Sequence, residues 1–276
     1  LPIADTFLKK EQIYKPQKLY PLNCLLCQKC GHLQHEYIVP PEERYIENEY
    51  SYTASNSKIS REHWQEYCNT VSKHIGLSRE DHVIEFGSND GLLLNYFAKK
   101  GANATGIDPS PNMAKLASKR GVYTLSSFLG KASLDKAEKR HGSAKLICGN
   151  NVFNHIFNLN EVVPSAAKTL RSDGYFVFES PYLKDTIEKY LFDMIYHEHA
   201  SYFSVRSADF LFRKHGLYIT NVERNNYHGG CIRVYACKNK SLYNRKLVDA
   251  YIKDEYAGGL FSLDTYKTFM AKITKD

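Results

Sequence analysis

No stretch of this 276-residue sequence approaches the roughly 18 consecutive apolar residues that a membrane-spanning helix requires. The first ten residues have neither a basic start nor a continuous apolar run, the two parts of a secretory signal. A soluble protein located in the cytoplasm is the expectation. An even set of cysteines is also lacking. There are seven, and Cys24, Cys27 and Cys30 crowd together, which suits thiols and metal ligands better than a disulfide framework. The formal charge is +7, yet no block of five or six like charges occurs. Basic pairs such as Lys99-Lys100, Lys139-Arg140 and Arg213-Lys214 alternate with acids and read as solvated helix faces, which argues against nucleic acid as the partner. Internal repeats and low-complexity tracts are absent. What remains is ordinary globular material, 43% hydrophobic and 24% charged, long enough for one large core and a second small module.

Residues 1–59 read as irregular, rich in Tyr and Pro, and form an N-terminal module and connector. Trp64, Cys68, Val71 and Ile75 then recur at helical spacing behind Ser60, the expected N-cap. From His82 the pattern alternates strand and helix: strands at 82–86, 104–108, 122–125, 144–148 and 175–179, helices at 92–99, 112–120, 133–140 and 161–170. After a helix at 207–215, the segments 218–222 and 231–237 are joined by the turn-rich Asn225-Asn-Tyr-His-Gly-Gly230 and form an antiparallel pair at the sheet edge. The expectation is an α/β doubly wound sheet of the class I methyltransferase type over residues 60–240. Residues 241–276 are charged and helical and read as the start of a truncated C-terminal region.

Glu85-Phe-Gly87-Ser-Asn89-Asp90-Gly91 takes a buried strand through a glycine-bearing turn into a helix, the place where α/β sheets bind nucleotides. A dinucleotide fingerprint would have glycines only, so that backbone approaches a pyrophosphate. Here Glu85 and Asp90 repel phosphate and attract a cation, which favours S-adenosylmethionine with its cationic methionine end. Asn89 replaces the middle glycine and tolerates a left-handed backbone. Asp108 ends the next strand, where an acid accepts hydrogen bonds from ribose hydroxyls. Asn150 and Asn151 follow the fourth strand. They lack the two prolines and aromatic common in methyltransferases acting on planar amines.

Tyr196-His197-Glu198-His199 is the densest titratable cluster. As metal ligands, His197 and His199 are spaced for a strand and lack a nearby third ligand. As acid–base machinery, an imidazole held beside Glu198 suits removal of a proton alpha to a carbonyl, with a phenol or second imidazole steadying the enolate oxygen. A satisfied structural loop gathers such residues too. His155 should reach the same crevice as an electrophile or second acid. His228-Gly-Gly-Cys231-Ile-Arg233 joins a tight turn to an edge strand.

Together Cys27-x-x-Cys30-Gly-His-Leu-Gln34, the Glu85–Gly91 loop, Gly106-Ile-Asp-Pro109, Asn150-Asn-Val-Phe-Asn-His155, Glu179-Ser-Pro-Tyr182, Phe192-Asp-Met-Ile-Tyr-His-Glu-His199 and His228-Gly-Gly230 resemble the sugar C-methyltransferases of deoxysugar biosynthesis, over nearly the whole chain. The resemblance implies S-adenosylmethionine as cofactor, bound by Glu85, Gly87, Asn89, Asp90, Gly91, Asp108, Pro109, Asn150 and Asn151. It implies a thymidine-diphosphate 4-keto deoxysugar as substrate, with His199 as base and Tyr196, Glu198, His155 and Tyr50 around the sugar. It also implies an N-terminal zinc-ribbon-like module with four cysteine ligands in two pairs, of which Cys27 and Cys30 match one. Cys24, His32 and His35 are the other candidates, and the set is incomplete. The family's large C-terminal domain, which helps to hold the sugar nucleotide, is not matched. Competing readings are a catalytically incomplete cofactor-binding partner, an RNA methyltransferase with a zinc module, and a nicotinamide oxidoreductase, which Glu85 and Asp90 disfavour.

Overall fold

The computed structural model describes residues 1–4, 8, 10–46 and 50–274. In chain order its strands are β1 (Cys24–Leu26), β2 (Leu33–His35), β3 (His82–Phe86), β4 (Asn103–Asp108), β5 (Tyr123–Ser126), β6 (Ala144–Asn150), β7 (Leu170–Pro181), β8 (Ser201–Tyr202), β9 (Tyr218–Asn225) and β10 (Cys231–Cys237). The α-helices are α1 (Pro41–Tyr45), α2 (Lys58–Ile75), α3 (Leu92–Lys99), α4 (Pro111–Lys119), α5 (Lys131–His141), α6 (Leu159–Thr169), α7 (Leu183–Glu188), α8 (Val205–Lys214), α9 (Arg245–Ala257) and α10 (Leu263–Ile273).

Seven strands form one sheet in the order β5-β4-β3-β6-β7-β10-β9. β3 to β7 are mutually parallel, and β10 runs antiparallel to both β7 and β9. The period-two pattern of the strands divides the core. Ile84, Ile147, Phe176 and Phe178 pack on one face with Val163 and Ala166 of α6, Phe212 of α8 and Val248 of α9. Their neighbours Val83, Leu146, Cys148 and Val177 pack on the other with Trp64, Val71 and Ile75 of α2 and Leu94 and Phe97 of α3. Both faces are covered, which is why the strands read as nearly continuous apolar runs. The chain winds outward from β3 through β4 to β5, then returns to the other side of β3 as β6. The carboxyl ends of β3 and β6 therefore flank a topological switch point, where open α/β sheets place their ligands.

Two local expectations are corrected, and one element is added that the sequence reading did not include. The N-cap of α2 is Ser57, whose hydroxyl accepts from the Ser60 N–H at 3.0 Å; Ser60 lies one turn inside. The N-terminal segment contains regular structure: β1 and β2 form a hairpin, and β2 pairs onward with β8, a two-residue strand from the methyltransferase-like part. The interval between β7 and β8 contains the helix α7, and Leu183 and Ile187 on it pack with Leu33, Leu260 and Phe269 in a third core cluster.

Candidate functional site

A cavity of about 620 Å³ opens at the switch point, lined by elements from the sheet ends, α1 and the loops around residues 50–54 and 194–199. It brings together Tyr50, Glu85, Gly87, Asn89, Asp108, Pro109, Asn150, Asn151, His155, Tyr196, Glu198 and His199. Asp90 and Gly91 do not line it.

At the sheet end the chain turns sharply. Gly87 has φ +60°, and a Cβ there would lie 2.5 Å from Val152 Cγ2, so both the conformation and the closeness of the neighbouring loop require glycine. Asn89 also adopts the left-handed region, φ +50°. Its side chain accepts from the Ala54 N–H at 2.8 Å and donates to the Tyr52 carbonyl at 3.0 Å. Asp108 receives the backbone N–H groups of Asn89 and Ser110 at 2.8 and 2.9 Å. Burial pushes its carboxyl up to about 6, and these hydrogen bonds oppose the rise. Glu85 is pushed well above the carboxylate range by burial and by the neighbouring Asp90 and Asp108 charges. Glu85 Oε2, both side-chain polar atoms of Asn150 and Asn151 Nδ2 are buried with no partner in the protein. A polar, cationic ligand satisfies such a set, because an unpaired buried polar group is expensive and a buried carboxylate favours a cation. The donor and acceptor set fits S-adenosylmethionine.

Asp90 departs from its expected role. Its carboxylate is held by the Ser55 hydroxyl, by Arg120 Nη2 at 3.0 Å and by the Leu92 N–H at 3.3 Å, at the start of α3. It fastens the segment after Ala54 to the loop instead of facing the cavity. Gly91, φ +76°, permits close packing of α3 on α4: a Cβ would sit 2.9 Å from that of Ala117.

At the opposite end, His199 Nδ1 meets the Met194 carbonyl at 2.7 Å. A carbonyl only accepts, so Nδ1 carries the proton and Nε2 keeps a lone pair. Burial, then the adjacent His155, lowers His199 to about 3, and it is neutral at neutral pH. The His155 ring stacks beside it at a centroid distance of 5.2 Å and is likewise lowered to about 3, by burial and the Arg44 charge. The Tyr196 ring lies 4.2 Å from that of His199. Tyr50 is pushed well up by burial and by Glu198, so its phenol stays protonated.

Two residues that the sequence did not single out complete this end. Tyr45 Oη lies 2.8 Å from Glu198 Oε1 and 3.1 Å from His155 Nδ1, and Arg44 Nη2 lies 3.5 Å from Glu198 Oε2. Both sit at the end of α1, behind the Pro40-Pro41-Glu42-Glu43 stretch. Beneath the cavity Glu179, fully buried, binds His63 Nε2 at 2.6 Å, Asn225 Nδ2 at 2.9 Å and Arg233 Nε at 3.0 Å. Arg233 is directly opposite Glu179 in the β7–β10 register, a pairing legible only once the antiparallel strand is placed.

His197 and His199 do not form a metal pair. His197 contacts the Tyr20 carbonyl at 3.3 Å and the ring of His35 at 6.4 Å, away from the cavity. In the N-terminal module Cys27 is held below the usual thiol range, chiefly by hydrogen bonds from the backbone and thiol of Cys30. His32 and His35 turn instead to Ser201 Oγ at 3.1 Å and Tyr202 Oη at 3.0 Å. Among the described residues no three His, Cys, Asp or Glu side chains converge. The residues present therefore do not fit a tetrahedral zinc site, which takes four ligands.

Comparison with known proteins agrees with the fold of the sheet, and it matches a zinc-binding family over the segment whose described residues gather no ligand set. The family model described as "Methyltransferase domain" matches residues 59–222, and that described as "Putative zinc binding domain" matches residues 1–45. The C-methyltransferase NovU of Streptomyces niveus is 33% identical over 269 residues, 97% of this chain; the chain spans 64% of the length of that relative. Among solved structures, magnesium protoporphyrin IX methyltransferase from Synechocystis PCC 6803 with bound SAH superposes with a TM-score of 0.52 at 14% identity, covering 72% of this chain and 94% of that one. A S-adenosylmethionine-dependent methyltransferase from Clostridium acetobutylicum gives 0.51 at 12% identity, covering 66% and 93%. At these identities the superpositions speak for the fold alone.

Proposed function

Because the chain belongs to the family described as "Methyltransferase domain", we propose that it uses S-adenosylmethionine to methylate a carbon of a nucleotide-linked 4-keto deoxysugar. The observation that carries the reading is the neutral imidazole of His199 in the cavity wall, its Nδ1 proton given to the Met194 carbonyl and its Nε2 free to take a proton. When bound, the cofactor supplies an electrophilic methyl group. A carbon acceptor needs a proton removed alpha to a carbonyl before it is nucleophilic, and His199 is the base for that step; burial weakens it as a base, while the hydrogen bond to Met194 and the Glu198 charge act in the opposite sense and favour the protonated ring. The oxygen of the resulting enolate needs donors, and the phenols of Tyr50 and Tyr196 line the same cavity. Glu198, braced by Arg44 and Tyr45, places a carboxylate between α1 and the His155 side of the site.

At the cofactor end, Glu85, Asn150 and Asn151 offer unpartnered polar atoms, while Asp108 ends β4 where ribose hydroxyls are accepted. The 33% identity to a protein named a C-methyltransferase supports carbon as the methylated atom.

The test is mass spectrometry of a thymidine-diphosphate 4-keto-6-deoxysugar incubated with the protein and S-adenosylmethionine, beside His199→Ala. The expected result is a product one methylene heavier, formed roughly 100- to 10,000-fold more slowly by the variant, the range for loss of a general base, with cofactor affinity retained. A wild-type protein that binds cofactor yet leaves the sugar unmethylated refutes the acceptor, and a fully active variant refutes the base.

A further inference from the structure

The Tyr45 hydroxyl has one proton and two neighbours within hydrogen-bond distance, Glu198 Oε1 at 2.8 Å and His155 Nδ1 at 3.1 Å. A carboxylate oxygen only accepts, so the Tyr45 proton goes to Glu198 and the oxygen of Tyr45 is left to accept. The group that donates to it is His155 Nδ1–H. Arg44, 3.5 Å from the other carboxylate oxygen, holds Glu198 in place as the terminal acceptor of this chain of hydrogen bonds. Without Tyr45, Glu198 lies 3.8 Å from His155 Nδ1, beyond a hydrogen bond.

We propose that Tyr45 is a positioning residue that locks His155 in the tautomer protonated at Nδ1, so that His155 meets the acceptor substrate through an unprotonated Nε2, accepting a hydrogen bond from one of its hydroxyls. This is the reverse of the electrophile expected for His155 from the sequence. Both imidazoles of the stacked pair then present lone pairs to the cavity, since His199 Nδ1 is likewise committed to Met194. Donors for the ketone oxygen come from phenols, not from imidazole. An acceptor that has a hydroxyl near its reacting carbon is preferred over one with the hydroxyl removed, because the deoxy analogue leaves Nε2 unpaired. The consequence for the substrate rests on the sugar reading above; the tautomer does not.

Imidazole in water prefers the proton on Nε2, so the lock has a spectroscopic signature. Long-range 1H–15N correlation spectra of protein labelled at histidine nitrogen, with the His155 signals assigned by their loss in His155→Asn, report which nitrogen carries the proton. In the wild type His155 Nδ1 is expected to be protonated and Nε2 bare. In Tyr45→Phe the population shifts toward Nε2–H, and kcat falls at least tenfold while the S-adenosylhomocysteine Kd is unchanged. A wild-type His155 protonated at Nε2 overturns the proposal, and this readout needs no variant to fold. An unchanged signature in Tyr45→Phe overturns the role of Tyr45. If the lock is observed but no sugar is methylated, the acceptor reading fails and the tautomer assignment stands.

Discussion

Glu85 is buried beside two other acids, and replacing it by glutamine perturbs two quantities in opposite directions. Burial and the Asp90 and Asp108 charges disfavour its ionised form, and its Oε2 has no partner in the protein. Glu85→Gln keeps the shape and removes the charge. Cofactor binding then loses a hydrogen bond to a charged group, worth about 1.5–3 kcal/mol, and the Kd for S-adenosylmethionine and S-adenosylhomocysteine rises roughly 10- to 150-fold. The ligand-free protein is stabilised, because a buried, repelled carboxylate is gone. An acid raised in the folded state makes the folded chain bind more protons than the unfolded one between the ordinary carboxylate range and its folded pKa, so the contribution of Glu85 to wild-type stability falls as pH rises through that window. The variant lacks this decline. Isothermal titration calorimetry gives the Kd, and thermal unfolding of the ligand-free proteins from pH 4.5 to 8 gives the stability difference. An unchanged Kd, or a variant less stable than the wild type at pH 8, refutes the reasoning.

Gly87→Ala forces a Cβ to 2.5 Å from Val152 at φ +60°; the left-handed backbone alone costs about 1–2 kcal/mol, cofactor binding is lost, and adding Val152→Ala recovers part of the stability in chemical denaturation. Glu179→Gln breaks a fully buried ion pair with Arg233 and lowers unfolding free energy by less than about 3–5 kcal/mol, the range for an uncompensated buried charge, because Arg233 keeps Glu66 and Glu223 at 3.3 Å. Burial holds His32 and His35 down at about 4 and His155 and His199 at about 3; the unfolded chain binds their protons first, so stability is fully present above the unfolded value near 6.5 and falls as pH drops from there toward 3, by up to about 1.4 kcal/mol per pH unit for each imidazole. The buried acids Glu85 and Asp108 act in the opposite sense, so the check is a comparison: a stability change from pH 7 to pH 5 that is the same in His155→Asn as in the wild type contradicts this. Chelation leaves the melting temperature of this chain unchanged, since among the described residues no third ligand joins Cys27 and Cys30; one equivalent of zinc by elemental analysis, with destabilisation on chelation, contradicts that.

The alternation of strands and helices was legible because its periods are long and regular. β3 and β10 fall on the expected residues, and α3 spans 92–99 as read from Leu92 and its neighbours. What could not be read is set by pairing at a distance. β8 has two residues, too few for any period, and exists because the backbone of Gln34 and Leu33 pairs with it across the chain. Tyr45 is one of 21 tyrosines and lies on a five-residue helix; only the arrival of Glu198 and His155 makes its hydroxyl distinctive. Asp90 shows the limit of local chemistry. Five residues after Glu85 in the same loop, it reads from the sequence as attracting the same cation, and the turn into α3 directs it to Ser55 and Arg120.

The contacts of Asp90 and Asn89 show how the two ends of the cavity are joined. The segment from Tyr50 to Ser55 runs over the cofactor loop and is tied down at successive points: the Tyr50 carbonyl accepts from Asn112 of α4, and in the loop itself Asn89 donates to the Tyr52 carbonyl and accepts from the Ala54 N–H, while Asp90 accepts from the Ser55 hydroxyl. The Tyr50 side chain faces the chemistry end, 5.4 Å from the Tyr45 ring and beneath the Arg44 guanidinium at 5.3 Å. Asn89 and Asp90 thus serve the acceptor side while standing in the cofactor loop, Asn89 through the backbone of this segment and Asp90 through the Ser55 hydroxyl. A glycine at position 89, the usual residue for such a turn, would keep the left-handed backbone and lose both ties. Asn89→Gly separates the two functions: cofactor affinity changes little, because the turn survives, and kcat falls with the loosening of Tyr50.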